Sequence, residues 1–247
     1  MSHIEVVTDH GVRTIRLDRP AARNALSGDM QASLVAAFAA ADQDPDVRVV
    51  ILTGADPAFC AGNDFTDLTQ FADRSGNRFR TDPGRALRAM TVPVICAVNG
   101  PCVSGGLEIA LSASLIVASD RARFADSHAR LNVIPTWGLT ALLPRAVGIR
   151  LAREMSITGR FVEPDEALAR GLVNHVVPHE ELLPFTTRLA ESVAGTSAVR
   201  DVLALYTRSE DLSFSAALSH EAATAFGRPF DPAAFAARGR DVTKDRK

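Results

Sequence analysis

PVICAVNGPCVSGGLEIALSASLIVA, residues 93–118, is the stretch that decides the fold. It reads as a strand at 93–98, a turn at Asn99-Gly100-Pro101, a helix at 105–113 and a second strand at 114–118. Both strand runs are almost wholly apolar, the pattern of strands buried on two faces in a parallel sheet covered by helices. Working outward, residues 47–53 (VRVVILT) repeat that pattern between Asp46 and Gly54. Residues 12–17 (VRTIRL) alternate, carry β-branched side chains and stop at Asp18-Arg19-Pro20. Ser27 stands at an N-cap position ahead of an alanine-rich helical stretch, 28–42. Strands alternating with helices give an α/β class.

Beyond Gly138 the pattern turns helical. Helices are expected at 137–143, 149–157, 164–171, 182–193, 198–205, 214–226 and 232–240, with one short strand at 173–177. No internal repeat or low-complexity linker divides the chain. One domain over 1–247 is expected, an α/β core to about residue 195 and a helical region from about 196 to 247.

The composition bounds the function. The chain has 247 residues, 47% hydrophobic and 23% charged, which excludes disordered and fibrous classes. With 29 acidic and 27 basic residues the net charge is −2, against the basic excess that nucleic-acid binders use to neutralise phosphates. The segment 238–247 departs from this balance: it holds five basic and two acidic residues, including the only lysines, Lys244 and Lys247. Three cysteines, Cys60, Cys96 and Cys102, give neither a disulfide framework nor a metal cluster. The first fifteen residues are polar and charge-interrupted, unlike a signal peptide. The longest apolar run, 109–119, is too short to span a bilayer, and a cytoplasmic location is expected.

Two glycine-containing segments follow strands and precede helices: 57–64 (PAFCAGND) and 99–108 (NGPCVSGGLE). Strand ends of open α/β sheets bind ligands, and small residues admit a ligand close to the backbone. Two N–H groups converging from such segments would form an oxyanion hole. Glu108 lies three residues past Gly105, one helical turn away, where a carboxylate can move a proton beside a carbonyl. The plainer reading also stands: glycine turns often precede helices, and the helix dipole favours glutamate in a first turn. Neither segment matches a nucleotide-phosphate motif. CVSGG at 102–106 is one glycine short of a nucleophile elbow, so Ser104 with His175 or His179 is a weaker hydrolase alternative. Cys60 and Cys102 read as small packing residues.

These residues resemble the crotonase superfamily, the enoyl-CoA hydratase/isomerase family. The segment 58–64 (AFCAGND) is similar to its first oxyanion motif, and 97–100 (AVNG) with 104–110 (SGGLEIA) to its second. LDRP at 17–20, NAL at 24–26, Ile134-Pro135, RAVG at 145–148, ALARGLV at 167–173 and Val176-Val177 fall on further landmarks, in order along essentially the whole chain.

The resemblance implies a crotonase-like ββα spiral core with a C-terminal helical extension. It implies an acyl-CoA or enoyl-CoA substrate, no metal, no cofactor beyond coenzyme A, and homotrimers commonly paired into hexamers. By position, Ala61 and Gly105 donate the two N–H groups to the thioester oxygen, and Glu108 takes the first of two glutamate positions that activate water. The second position falls on His128. There the imidazole replaces a carboxylate in proton transfer, or is a structural residue held by Asp126 and Arg130. Asp126 is itself a competing carboxylate, or a cap for the turn after it. Trp137 stands where a small residue is expected, either narrowing the acyl pocket or packing in the core. Arg23, at the family's contacts to the CoA head, completes the substrate-binding set with Asn63 and Asp64, or is simply a solvated arginine.

The expected activity is enoyl-CoA hydratase. Isomerisation, thioester hydrolysis and catalytically silent acyl-CoA binding are the alternatives. The basic segment 238–247 is a candidate contact for CoA phosphates, or simply a solvated terminus.

Overall fold

A computed structural model describes residues 3–64, 66, 81–196, 198–233 and 235–236. Two compact units are present, Met1–Arg200 and Asp201–Lys247. The basic segment 238–247 and most of the helix expected at 232–240 lie outside the described residues.

The first unit is built on a sheet of β1 (Ile4–Asp9), β2 (Val12–Leu17), β3 (Val49–Gly54), β4 (Val94–Val98), β6 (Leu115–Ser119) and β8 (His175–Val177), in that spatial order. β1 and β2 form an antiparallel hairpin, and every later pairing is parallel. The expected strands at 12–17, 47–53, 93–98 and 114–118 are thus adjacent members of one sheet. Their two-sided burial follows from the period of 2. Val50, Leu52, Val94, Cys96 and Val98 face a large core with Met30, Leu34 and Phe38 of α1 (Gly28–Gln43). Val49, Ile51, Ile95 and Ala97 face a smaller core with Leu182, Ala190 and Ala194 of α6 (Leu182–Ala194). Ser27 caps α1, its side chain accepting from the Met30 N–H.

A second, smaller layer carries the site. β5 (Pro101–Val103) and β7 (Arg123–Ala125) pair in parallel, and isolated bridges join Cys60 to Cys102, Leu26 to Asn63 and Phe124 to Val162. The sequence reading missed β1, β5 and β7. β1 is an exposed edge strand of mixed polarity, so no hydrophobic alternation marks it. Its signal was the His10-Gly11 turn, where both residues adopt positive φ (47° and 81°), as a two-residue hairpin turn requires. β5 and β7 have three residues each, too few to show a period.

The remaining helices of this unit are α2 (Pro83–Arg88), α3 (Gly105–Leu111), α4 (Leu139–Thr158) and α5 (Pro164–Ala169). The two helices expected at 137–143 and 149–157 form one run broken at Gly148 (φ 77°, ψ 155°). Trp137 is not part of it: Gly138, at φ 111°, turns the chain before the helix starts. α7 (Ala198–Ser209) runs across the unit boundary, and α8 (Phe214–Gly227) follows in the second unit. No described helix is long and apolar enough to cross a membrane.

Candidate active site

The segment 60–64 runs between two neighbours. On one side Cys60 N–H donates to Pro101 O and Val103 N–H donates to Cys60 O. On the other, Ala61 N–H donates to Arg23 O at 3.0 Å, Leu26 N–H to Gly62 O at 2.8 Å and Asp64 N–H to Leu26 O at 3.0 Å. Leu26 therefore bonds to the residues flanking Asn63, as in a parallel ladder, and the Asn63 N–H is directed away from it. Gly62, at φ 95°, makes the local turn that a side chain would strain.

The Asn63 backbone nitrogen lies close to Gly105. A β-carbon added to Gly105 would lie 3.6 Å from Asn63 N, and one added to Gly62 would lie 3.5 Å from Gly105 N. Neither N–H has an acceptor among the described residues. This corrects the expected donor pair. The Ala61 N–H is committed to Arg23, while those of Asn63 and Gly105 lie near each other and are left without an acceptor among the described residues. The error was one of parity, because the strand alternation that aims each N–H depends on the Leu26 partner, which is distant in sequence. Gly106 lets the turn close: a β-carbon there would sit 2.5 Å from Cys60 O.

The Asp64 carboxylate is not offered to a substrate. It is buried, pairs with Arg19 and accepts from the Thr66 N–H, and the Arg19 guanidinium holds it below the usual carboxylate range. Arg19 also donates to Ala25 O, so this pair ties the 60–64 segment to the 23–26 segment. The Asn63 side chain accepts from Gln31 Nε2 at 3.0 Å. Arg23 is exposed while its carbonyl holds Ala61.

Glu108, on α3, is 1% exposed. Its Oε1 accepts from the N–H groups of Trp137 (2.7 Å) and Leu139 (3.2 Å), and its Oε2 lies 3.7 Å from His128 Nε2. Burial pushes this carboxyl up, against the lowering effect of those two N–H groups and of His128. His128 Nδ1 is 2.6 Å from Asp126 Oδ1, which also accepts the His128 backbone N–H at 3.0 Å. Asp126 is 1% exposed; burial raises its carboxyl, but the hydrogen bonds from His128 and Ser156 outweigh that and leave it lowered. Asp126 thus holds both the backbone N–H and the imidazole of His128, while the turn that follows has no side-chain cap. Arg130 makes no hydrogen bond to the His128 side chain among the described residues.

Trp137 is buried with its ring against Gly105: a β-carbon there would lie 2.9 Å from Trp137 Cζ3. Its Nε1–H is buried with no acceptor among the described residues, an uncommon state for a polar group in a core.

The hydrolase alternative finds no support here. Ser104 Oγ lies 2.7 Å from Ser127 Oγ and accepts from the Ser127 N–H, with no histidine bonded to it among the described residues. His179 instead pairs with Asp56, and the His175 ring lies beside that of Phe185. Cys60, Cys96 and Cys102 are buried, and desolvation pushes the Cys60 thiol up to about 12, far from a reactive thiolate. No cluster of three or more His, Cys, Asp or Glu side chains suited to a metal occurs among the described residues.

The chain is similar to known proteins in sequence and fold. The sequence pattern of the enoyl-CoA hydratase/isomerase family matches residues 7–237. Enoyl-CoA hydratase EchA19 of Mycobacterium tuberculosis is 39% identical over 197 residues, covering 76% of this chain and 74% of its own. The crystal structure of an enoyl-CoA hydratase from Mycobacterium tuberculosis H37Rv superposes with a TM-score of 0.76 at 46% identity, over 92% of this chain and 98% of the other. One from Geobacillus kaustophilus gives a TM-score of 0.84 at 34% identity, over 91% and 88%. The expected α/β crotonase fold is borne out, and the chain belongs to the enoyl-CoA hydratase/isomerase family.

Proposed function

We propose that this protein hydrates an enoyl-CoA thioester, with Asn63 and Gly105 binding the thioester oxygen and Glu108 and His128 moving the protons. The observation that carries the reading is the meeting of two acceptor-free N–H groups with a buried carboxylate whose second oxygen faces an imidazole. Glu108 Oε1 is saturated by two backbone donors, so Oε2 is the oxygen left for chemistry. In hydration one of the two groups takes a proton from water as its oxygen bonds to Cβ. The C=C electron pair moves onto the thioester oxygen, where two N–H groups stabilise the charge. The other group delivers a proton to Cα and the carbonyl re-forms. Water is consumed and no redox partner is needed, so the reading requires no metal and no cofactor beyond the CoA of the substrate. The exposed Arg23, on the segment paired with the oxyanion strand, is assigned to a CoA phosphate.

The test is turnover of enoyl-CoA thioesters of several chain lengths, followed by loss of the conjugated enoyl absorbance. Hydroxyacyl-CoA is the expected product. A shifted double bond would replace the reading with isomerisation, released CoA thiol with hydrolysis, and saturable binding without turnover with a silent binder.

Trp137 is the wall over the oxyanion donor Gly105. Gly105→Ala places a methyl against the indole and is expected to cut kcat/KM by about 10-fold or more. Adding Trp137→Leu should restore part of the loss, a coupling of about 1–3 kcal/mol in a double-mutant cycle. Strict additivity would remove Trp137 from the pocket wall.

We further assign homotrimers, commonly paired as hexamers, to the solution state. Phe214 (81% exposed) and Phe226 (91%) on α8, with Tyr206 on α7, leave apolar surface that assembly covers. Sedimentation equilibrium at several concentrations tests it, and a monomer would overturn it. Three thiols unpaired in one core, with Cys60 bridged to Cys102 as backbone neighbours, fit a reducing compartment such as the cytoplasm.

A further inference from the structure

We infer that Asp126 is a positioning residue that fixes which nitrogen of His128 carries the proton, making His128 the base that takes the proton from water and Glu108 the acid that protonates Cα. The inference rests on the Glu108–His128 reading above and goes beyond it by dividing the two roles. A carboxylate only accepts, so the 2.6 Å contact between Asp126 Oδ1 and His128 Nδ1 places the hydrogen on Nδ1. Nε2 of the neutral imidazole then presents its lone pair towards Glu108 Oε2, 3.7 Å away.

Three further observations hold that state. Asp126 keeps its charge although buried, because the His128 backbone N–H, the imidazole and Ser156 all hydrogen-bond to it. Burial shifts Glu108 towards its protonated form, and with Oε1 taken by two backbone donors the oxygen that would carry that proton is Oε2, on the His128 side. The loop is itself anchored, since Ser104 Oγ accepts the Ser127 N–H at 2.9 Å and Ser104 is the residue before the donor Gly105. The charged groups facing His128 among the described residues are Glu108, from α3, and Asp126, from the loop after β7. As water adds, its proton passes to Nε2 and the imidazolium forms between two carboxyl groups. The Glu108 proton goes to Cα, leaving a carboxylate beside that imidazolium. One proton returned from His128 to Glu108 resets the pair, so atoms and charge balance over the cycle.

Asp126→Asn tests this. The Asn side chain can donate to Nδ1 and so stabilise the opposite tautomer, with the hydrogen on Nε2 where a lone pair is needed. The expected result is a fall in kcat of about 100-fold or more with KM within about threefold of wild type. The acid limb of the kcat/KM profile should move to lower pH, because no anion then supports the imidazolium. Imidazole nitrogen NMR should show Nδ1 protonated in neutral wild-type His128 and the other tautomer in the variant. Asp126→Glu, which keeps the anion, should recover part of kcat. A purely structural Asp126 would lower the thermal midpoint without moving tautomer or profile, and that result overturns the inference. If His128→Ala slows hydration severely while Asp126→Asn behaves as wild type, the acid–base pair stands and the positioning role fails. If His128→Ala leaves hydration intact, the pair itself fails.

Discussion

Glu108→Gln is expected to lower kcat by about 10²–10⁴-fold, the usual worth of a general acid or base, with KM little changed. The amide can still accept from Trp137 and Leu139 through its oxygen, so the turn at 137–139 keeps both donors satisfied. What is lost is the exchangeable proton on the atom facing His128. Stability should move the other way. The folded carboxyl is raised above its unfolded counterpart, mainly by desolvation. Between those two values the unfolded state binds fewer protons, so wild-type stability falls as pH rises through that window. The glutamine variant has no such term. Its thermal midpoint relative to wild type should therefore rise with pH across that window, read by melts at a series of pH values. Retained turnover with an unchanged midpoint would remove Glu108 from the chemistry.

Asn63→Pro is expected to reduce kcat by about 10²–10³-fold, the typical cost of losing one oxyanion donor. Proline removes a single N–H, and it is the one that the ladder with Leu26 leaves unused: Leu26 bonds to Gly62 O and Asp64 N on either side. Asn63→Ala is the control. It deletes the contact with Gln31 and keeps the backbone donor, so its kcat should stay within about threefold of wild type. A large loss in the alanine variant, or none in a folded proline variant, would return the donor role to another residue. Circular dichroism and urea unfolding separate lost folding from lost chemistry.

How much of this was legible beforehand follows from the range of each interaction. The strands at 93–98 and 114–118 were readable because burial on two faces leaves an apolar run whatever the partners are. The helix from Gly28 announced itself through Ser27, whose cap is a local bond to Met30. β5 and β7 were not readable, since three-residue strands exist only through partners elsewhere in the chain. Trp137 was misplaced into a helix because its neighbours favour one. A buried glutamate 29 positions earlier captures its N–H instead.

The sequence by itself determined the family, the α/β core, the glycine segments and the place of Glu108 one turn beyond Gly105, all carried by local motifs in chain order. Tertiary structure alone decided which N–H groups of the 60–64 segment are bonded and which is left without an acceptor among the described residues, since that depends on pairing between residues 23–26 and 61–64. It also decided that Asp126 holds His128 and that His128 meets Glu108. Hydrogen bonds of that kind act over about 3 Å in space, and no spacing along the chain encodes them.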